Sequence, residues 1–393
     1  MVINLMNLGI SKLKRYNNGV ILASLALVFV LVSRSNITSR RIKIQFPWRQ
    51  WKNQDGVKYC NYGVGKWVPE NMTRPIYSGS NCRRWVSSSM NCNLMPRRKD
   101  FSYESFRWQP DNCDVPDFDH QVMKNKTIAF VGDSLGRQQF QSLMCMATAG
   151  GRLDGEVEDV GIEYNFVKPI NGFVKGSSAY RFRITNTTIL FHWAVTLCQL
   201  IKSSSSDHIA LHIDRIDPFI AQSLNKIHVL VLNTKHHWTG EIMKKEKWVV
   251  HLNGSPVKDK NLNVPSNARN FAVSNVVHWL DSRLSRYPEL KVFFRTFSPN
   301  QFVNGNWNTG GTCDNLTPLV HGDRIPVGNG SYDTPAVNAI IQASGVKLLD
   351  VTGLSILRDE AHVSKFGIHR YDCIHWCLPG IPDEWNNILN AQI

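Results

Sequence analysis

Two short motifs that are far apart in the 393-residue chain contain side chains suited to nucleophilic catalysis. Residues 130–135 read FVGDSL, so an apolar run ends at Gly132 and Ser134 follows where a helix is predicted to begin. Such a turn places the hydroxyl at the carboxyl edge of a parallel sheet, where helix N–H groups can stabilise an oxyanion. Near the other terminus, Asp372 and His375 have the spacing i, i+3, which predicts a shared face on a helical turn.

Together these motifs predict a serine nucleophile with its general base. His375 would take the proton of Ser134, while Asp372 would orient the imidazole and stabilise its charged form. Asn233 ends the apolar segment IHVLVLN, and with the backbone near Ser134 it is a candidate donor to the oxyanion. The alternatives are structural, with Asp133 or Ser134 as an N-cap, Asn233 as a turn residue, and the D-x-x-H motif as a surface turn.

The segments that must hold these side chains alternate between strand-like and helix-like patterns. The apolar run KTIAFV from Lys126 predicts a strand before Gly132, and the spacing from Leu135 to Ala147 predicts a helix. Further strands are predicted at 162–167, 180–184, 188–193, 227–232, 292–297 and 346–351, and further helices at 268–286 and 335–343. This alternation predicts an α/β fold in which helices flank a parallel sheet.

The N-terminal region carries a targeting signal. Residues up to Lys52 contain nine Lys/Arg and no Asp/Glu, whereas the rest of the chain has 36 basic and 31 acidic residues. The apolar run GVILASLALVFVLV predicts a short membrane anchor, with a cleaved signal peptide as the alternative. We expect a single-pass type II Golgi protein with a lumenal catalytic domain. The predicted parts are a cytosolic tail (1–18), an anchor (19–33), a stem (34–55), a Cys-rich segment (56–120) and a catalytic domain (121–393).

The cysteines also indicate an oxidising compartment. All nine follow the apolar run, and seven N-x-S/T sequons occur in the chain. No pair has C-x-x-C spacing, so no metal site is predicted. Four disulfides and one free thiol are expected, and Cys198 is the predicted free thiol because it ends the apolar stretch TILFHWAVTLC. The sequence has no zinc finger, RNP motif or basic stripe with interleaved aromatics, so nucleic acid is not a predicted partner.

The motifs taken together resemble known proteins. The Gly-Asp-Ser turn followed near the C-terminus by D-x-x-H resembles the SGNH/GDSL esterase superfamily. Within it, the chain resembles the plant trichome birefringence-like family of wall-polysaccharide O-acetyltransferases over about residues 58–390. The motifs that carry this resemblance are CNYGVGKWVPEN, PIYSGSNCRRW, FRWQPDNCDVPDFD, VGDSLGRQQFQSLMC, FRTFSPNQF, NWNTGGTC and YDCIHWCLPGIPDEWNNIL.

The resemblance implies a fold, an activity and a disulfide pattern. It implies an SGNH-like catalytic domain with the Cys-rich segment packed on it. The implied disulfides are Cys60–Cys113, Cys82–Cys145, Cys92–Cys377 and Cys313–Cys373. The implied activity is acetylation of a wall polysaccharide by Ser134, Asp372 and His375, with xylan as first choice and xyloglucan, mannan or pectin open.

Two departures from the family pattern occur near the predicted cleft. Gln138 stands where such proteins usually have Asn, and residues 233–238 read N-T-K-H-H-W where such proteins usually read N-T-G-H-W-W, so that Lys235 and His237 differ and His236 does not. Because the catalytic trio is intact, we expect these changes to bear on acceptor choice.

The expected co-substrate is an acetyl donor, with no tightly bound cofactor and with a membrane partner as a source of that donor. Arg137, Arg295, Trp238 and Trp307 are candidates for lining the glycan cleft, against a structural role for each. An acetylesterase and a non-catalytic protein that bridges pectin or other wall polymers are the rival functions.

Overall fold

The computed structural model describes residues 60–393, apart from 71–74, 112, 167–175, 205, 314–332, 344 and 367–370. These residues belong to one compact unit that begins at Cys60. The predicted cytosolic tail, anchor and stem therefore lie outside the described residues. Within the described ranges, no helix combines the length and apolar character needed to cross a bilayer.

The described chain alternates between strands and helices. The strands are β1 (Gly65–Pro69), β2 (Phe106–Pro110), β3 (Thr127–Gly132), β4 (Val157–Asp159), β5 (Ser178–Phe182), β6 (Thr187–Trp193), β7 (Cys198–Lys202), β8 (Ile209–Ile216), β9 (Val229–Leu232), β10 (Trp248–Leu252), β11 (Ser255–Pro256), β12 (Lys291–Arg295), β13 (Val346–Leu349), β14 (His362–Ser364) and β15 (Asp372–Trp376). The α-helices are α1 (Ser134–Ala147), α2 (Pro218–Ser223), α3 (Gly240–Lys245), α4 (Pro265–Asp281), α5 (Thr334–Gln342), α6 (Thr352–Ile356) and α7 (Ile381–Asn390).

The largest sheet in the described part of the chain has seven strands in the order β13-β12-β9-β3-β6-β5-β4. The strands from β13 to β6 run parallel, whereas β5 and β4 are antiparallel additions at one edge. The predicted parallel sheet is therefore confirmed for its centre, and the sheet as a whole is mixed. The predicted strand at 162–167 is wrong, because Gly161–Tyr164 form a 3-10 turn.

Helices cover both faces of this sheet. In β3, Ile128 and Phe130 face a layer that contains α1 and α7, while Ala129 and Val131 face a layer with α4 and α5. Side chains alternate across a strand, so a continuous apolar run is what a strand buried on both faces requires. This explains why β3 continues after Thr127 as IAFVG, with no further polar residue.

The Cys-rich segment packs on the α1 and α7 side. Its Trp67 and Trp108 are fully buried in the same core cluster as Trp376 and Trp385. Trp67 donates its indole N–H to the Leu354 carbonyl (3.0 Å). Since its aromatic side chains complete a core built by the later residues, the segment is an integral part of the domain.

A second sheet, β11-β10-β8-β7, packs beside the first and buries Cys198. Cys198 is the free cysteine, as predicted from the sequence. Burial raises the pKa of its thiol, with the charges of Asp217 and Asp214 adding to the effect. A thiol needs exposure and deprotonation to react, so this one is inert in the folded state.

We expect native protein to resist alkylation by iodoacetamide and to take up one label, at Cys198, when unfolded in guanidinium without reductant. Intact mass and peptide mapping measure the label, and the disulfide-bonded cysteines serve as the unreactive internal control. Rapid labelling of Cys198 in the native protein would contradict the described burial.

Candidate active site

Ser134 begins α1 at the carboxyl end of β3. Asp133 is the N-cap of this helix, because its carboxylate accepts the N–H of Leu135 (3.0 Å). Asp133, and not Ser134, therefore caps the helix, and the Ser134 hydroxyl is free to bind another partner. The N–H of Ser134 lies in the first helical turn, where the helix supplies no acceptor.

His375 and Asp372 complete a chain of hydrogen bonds to this hydroxyl. His375 Nε2 lies 2.8 Å from Ser134 Oγ, and its Nδ1 lies 2.9 Å from Asp372 Oδ2. Imidazole and carboxylate are both mostly shielded, with 20% and 16% of their side-chain surfaces exposed. The structure thus brings the three predicted side chains together in the order needed to remove a proton from the serine.

The predicted helical turn at the D-x-x-H motif is wrong. Asp372–Trp376 form β15, which pairs with β14 across an irregularity between His362 and Ser364. The two side chains meet because the Asp372 carboxylate folds back along its own strand. It accepts the backbone N–H groups of Ile374 (3.2 Å) and His375 (2.9 Å).

These contacts decide the charge of Asp372. Burial alone would raise its pKa, but the His375 charge and the hydrogen bonds from His375 and Ile374 lower the pKa below its usual value. Asp372 is therefore anionic throughout the physiological range and can stabilise an imidazolium.

The backbone of β15 is fixed to α1 by Gln138. The fully buried amide accepts the N–H of Trp376 (3.1 Å) and donates to the Trp376 carbonyl. This departure from the family pattern therefore connects the nucleophile's helix to the strand of the general base. From its place in the sequence we expected Gln138 to bear on acceptor choice, but its side chain is buried between α1 and β15.

His362 and Ser298 hold the same strand from other directions. The His362 ring stacks on Trp376 at 3.8 Å between centroids, and its Nδ1 lies 3.1 Å from the His375 carbonyl oxygen. The Trp376 indole donates to Ser298 Oγ (2.7 Å). The backbone on both sides of the His375 side chain is thus bound to buried groups.

The protein contains four disulfides, and they are the four pairs that the resemblance implied. They join Cys60 to Cys113, Cys82 to Cys145, Cys92 to Cys377 and Cys313 to Cys373. Two of them attach to Cys373 and Cys377, on either side of His375. These covalent links fix the imidazole against two different parts of the fold.

Asn233 lies directly under the nucleophile's turn. A β-carbon added at Gly132 would fall 2.3 Å from the Asn233 carbonyl oxygen, so this position requires glycine, and a β-carbon added at Gly136 would fall 2.2 Å from Asn233 Oδ1. Asn233 Nδ2 donates to Asp133 Oδ1 (2.5 Å). An amide nitrogen carries two hydrogens, so this contact uses one of the two N–H groups of Asn233.

Arg295 and Trp238 do not line an open cleft, so their predicted role is wrong. Arg295 is 1% exposed and lies over the Trp385 ring, 4.6 Å from its centroid. Burial lowers its pKa to about 10, and the Asp133 charge opposes that shift. Trp238 is buried in the core of the second sheet and donates to Thr234 Oγ1 (2.8 Å).

Arg137 and Trp307 remain accessible. Arg137 lies one turn after Ser134 on α1 and is half-buried. Trp307 is 50% exposed in the segment between Val303 and Thr312, which pair as an isolated bridge. Gln301 anchors this segment by donating its N–H to the Cys373 carbonyl (3.0 Å).

Sequence reasoning missed Trp193, and it identified His237 only as a departure from the family pattern near the predicted cleft. Trp193 ends β6 beside Gly132 in the sheet register, and it lies under the Arg137 guanidinium at 5.3 Å from the ring centroid. The His237 ring meets Trp193 edge-on with centroids 5.8 Å apart. For His237, the usable signal was its place, with Lys235, among the departures from the family pattern after Asn233. For Trp193, the usable signal was an aromatic residue at the end of a strand that neighbours the nucleophile's strand.

The sequence is similar to those of known proteins. Residues 115–392 match the PC-esterase family, a GDSL/SGNH-like acyl-esterase family found in Pmr5 and Cas1p, and residues 58–114 match the PMR5 N-terminal domain. Protein trichome birefringence-like 14 of Arabidopsis thaliana is 46% identical over 85% of this chain and 86% of its own length. Protein trichome birefringence-like 15 of that plant is 44% identical, over 86% and 71%. Xyloglucan O-acetyltransferase 4 of Populus trichocarpa is 29% identical over 85% of this chain and 81% of its own.

The Ser134 hydroxyl lies at the carboxyl edge of a parallel sheet and is hydrogen-bonded to the His375 imidazole. This is the arrangement expected of a GDSL/SGNH-like acyl-esterase domain. The chain belongs to the PC-esterase family and, within it, to the trichome birefringence-like proteins. It is accordingly an enzyme of the acyltransferase class.

The link through Gln138 yields a mutational prediction. Gln138→Met keeps the side-chain volume but leaves the Trp376 N–H and carbonyl unpaired in the interior, so we expect a loss of about 2–4 kcal/mol in unfolding free energy. We also expect kcat for p-nitrophenyl acetate hydrolysis to fall by about ten-fold or more, because the imidazole is no longer held against Ser134. Denaturant titration and steady-state kinetics measure both effects.

Gln139→Met is the matched control. Gln139 is equally buried, but its amide has no hydrogen-bond partner among the described residues. We expect this variant to keep kcat and to be at least as stable as the parent. Equal losses in the two variants would show that the Gln138 link does not position His375.

Proposed function

We propose that the chain O-acetylates hydroxyls of a plant cell-wall polysaccharide by double displacement at Ser134. The observation that carries this proposal is the hydrogen-bonded series from Ser134 through His375 to Asp372, in a family that includes a xyloglucan O-acetyltransferase. Each side chain has one role, as nucleophile, general base and orienting anion, respectively.

In the first half-reaction, Ser134 becomes acetylated. His375 Nε2 takes the hydroxyl proton as Oγ bonds to the acetyl carbon of the donor. The negative oxygen that forms there receives hydrogen bonds from the Ser134 N–H and the second N–H of Asn233. The bond between the acetyl carbon and the donor then breaks, and the departing group takes the proton from His375.

In the second half-reaction, a sugar hydroxyl replaces the departed group. His375 takes its proton while the sugar oxygen bonds to the acetyl carbon. The bond from that carbon to Ser134 Oγ breaks, and the imidazolium returns a proton to the serine. The Asp372 carboxylate stabilises the imidazolium in both halves, because it remains ionised at physiological pH.

Transfer requires that the sugar reach the acetyl-serine before water does. The shielding of His375 and Asp372, and the half-buried Ser134, limit the open volume around the ester. Xylan is our first choice of acceptor, with xyloglucan, mannan and pectin as the other members of the panel. We further propose a Golgi membrane location, with a membrane partner that supplies the acetyl donor.

The deciding experiment uses the full chain with p-nitrophenyl acetate as donor and deacetylated oligosaccharides of these four polymers as acceptors. We expect mass gains of one acetyl group on at least one oligosaccharide, and their loss in Ser134→Ala. Ser282→Ala removes an exposed hydroxyl beyond the end of α4 and should retain full activity.

The alternative outcomes separate the rival functions. Acetate release from acetylated oligosaccharides, without gain on any acceptor, would make the chain an acetylesterase. Oligosaccharide binding that is equal in the parent and in Ser134→Ala, with neither activity, would indicate a bridging protein.

A further inference from the structure

Arg137, Trp193 and His237 form one contiguous cluster beside the nucleophile. Arg137 follows Ser134 by three residues on α1, which places both on one face of the helix about 4.5 Å apart along its axis. Trp193 ends the strand adjacent to that of Gly132. The guanidinium lies over the indole, and the His237 ring meets the indole at right angles.

The Arg137 guanidinium has no hydrogen bond or ion pair with any residue in the described ranges. Its backbone N–H bonds to the Asp133 carbonyl as part of α1, and the guanidinium contact is with Trp193. Burial lowers the pKa of Arg137, with the Asp133 charge opposing the shift. A half-buried cation with unused donors carries a desolvation cost, and an anion that binds there would offset it.

Arg269 is an arginine with a structural role, and its hydrogen-bond partners can be compared with those of Arg137. Its guanidinium is buried and binds both oxygens of Asp333, at 2.9 and 2.7 Å, while Nε donates to the Thr234 carbonyl (3.0 Å). Arg137 has the same donor fork but no such carboxylate within the described ranges. The fork is therefore open to a carboxylate that a ligand would bring.

The cluster offers three different surfaces to a ligand. Arg137 presents a planar fork that matches a carboxylate in two-point geometry. Trp193 is half-buried, so part of its flat apolar ring remains available for packing. The half-buried His237 is held uncharged at neutral pH by burial, which lowers its pKa, so its ring can exchange hydrogen bonds with hydroxyls.

We propose that this cluster is an acceptor subsite for a uronic-acid residue of the glycan. The uronate carboxylate binds the Arg137 fork, the sugar ring packs against Trp193, and a ring hydroxyl bonds to His237. The inference rests on the proposed transfer to a polysaccharide and names the class of acceptor. The spacing between Ser134 and Arg137 places the uronate on the acetylated sugar or on its immediate neighbour.

The test compares two acceptors that differ in one group. One is a xylo-oligosaccharide with a glucuronic acid branch, and the other is the same compound with its carboxyl reduced to an alcohol. With the full chain and p-nitrophenyl acetate, we expect kcat/KM to favour the acidic acceptor by about ten-fold to a hundred-fold. Arg137→Gln should abolish this preference by raising KM for the acidic acceptor alone, and Arg137→Lys should keep part of it.

Arg283→Gln is the matched control, because Arg283 lies over the Trp279 ring in a similar way but on a different part of the surface. It should leave the preference intact. Equal rates for the two acceptors in the parent would overturn the subsite. So would an Arg137→Gln variant that loses both acceptors and aryl-ester hydrolysis equally, because this would show a purely structural arginine.

Failure of the proposed function itself gives a different result. In that case neither acceptor gains an acetyl group, while ester hydrolysis by Ser134 persists. Calorimetric binding of the two oligosaccharides to Ser134→Ala then decides the subsite separately. Tighter binding of the acidic compound, lost in Ser134→Ala/Arg137→Gln, supports it, and equal affinities overturn it.

Discussion

The whole site depends on holding β15 against α1. Ser134 begins the helix that follows a strand of the main sheet, but His375 lies on a short strand whose one partner among the described residues is β14. A two-stranded ribbon is marginal in isolation, so the accuracy of the Ser134–His375 contact must come from its surroundings. Gln138, the His362 stack and two disulfides supply it from separate directions.

This requirement explains the place of the Cys-rich segment. It provides Cys92, which bonds to Cys377 just after β15, and Tyr77, which donates to Asp383 at the start of α7. Asp383 also accepts from Ser142 on α1 (2.5 Å). The segment therefore joins the helix of the nucleophile to the chain that follows the general base.

Those features that depend on short stretches of sequence were predictable. The β3–α1 turn follows from an apolar run, a glycine and a helical repeat, so the location of Ser134 at the sheet edge was expected. The D-x-x-H motif was read as a helix because i, i+3 spacing suits one, but pairing with β14 overrides that local preference. The 3-10 turn at Gly161–Tyr164 is a similar case in a short apolar run.

Predictions about the cleft failed where burial decides the role of a side chain. Arg295 and Trp238 have residue types common in sugar-binding sites, yet they lie in the interior because of where their elements pack. Trp193 was overlooked because its location beside Ser134 depends on the register of β6 against β3, which involves residues about sixty positions apart. Contacts at that separation are set by the complete fold.

The order of the chain has a consequence for biosynthesis. Ser134 leaves the ribosome 241 residues before His375, so over that interval the nascent polypeptide carries the hydroxyl without its base. Cys92 likewise cannot form its disulfide until Cys377 has been synthesised, 285 residues later. The catalyst is therefore assembled only after His375 and Cys377 have been synthesised, and a nascent chain that has not reached them lacks the general base and the disulfide beside it.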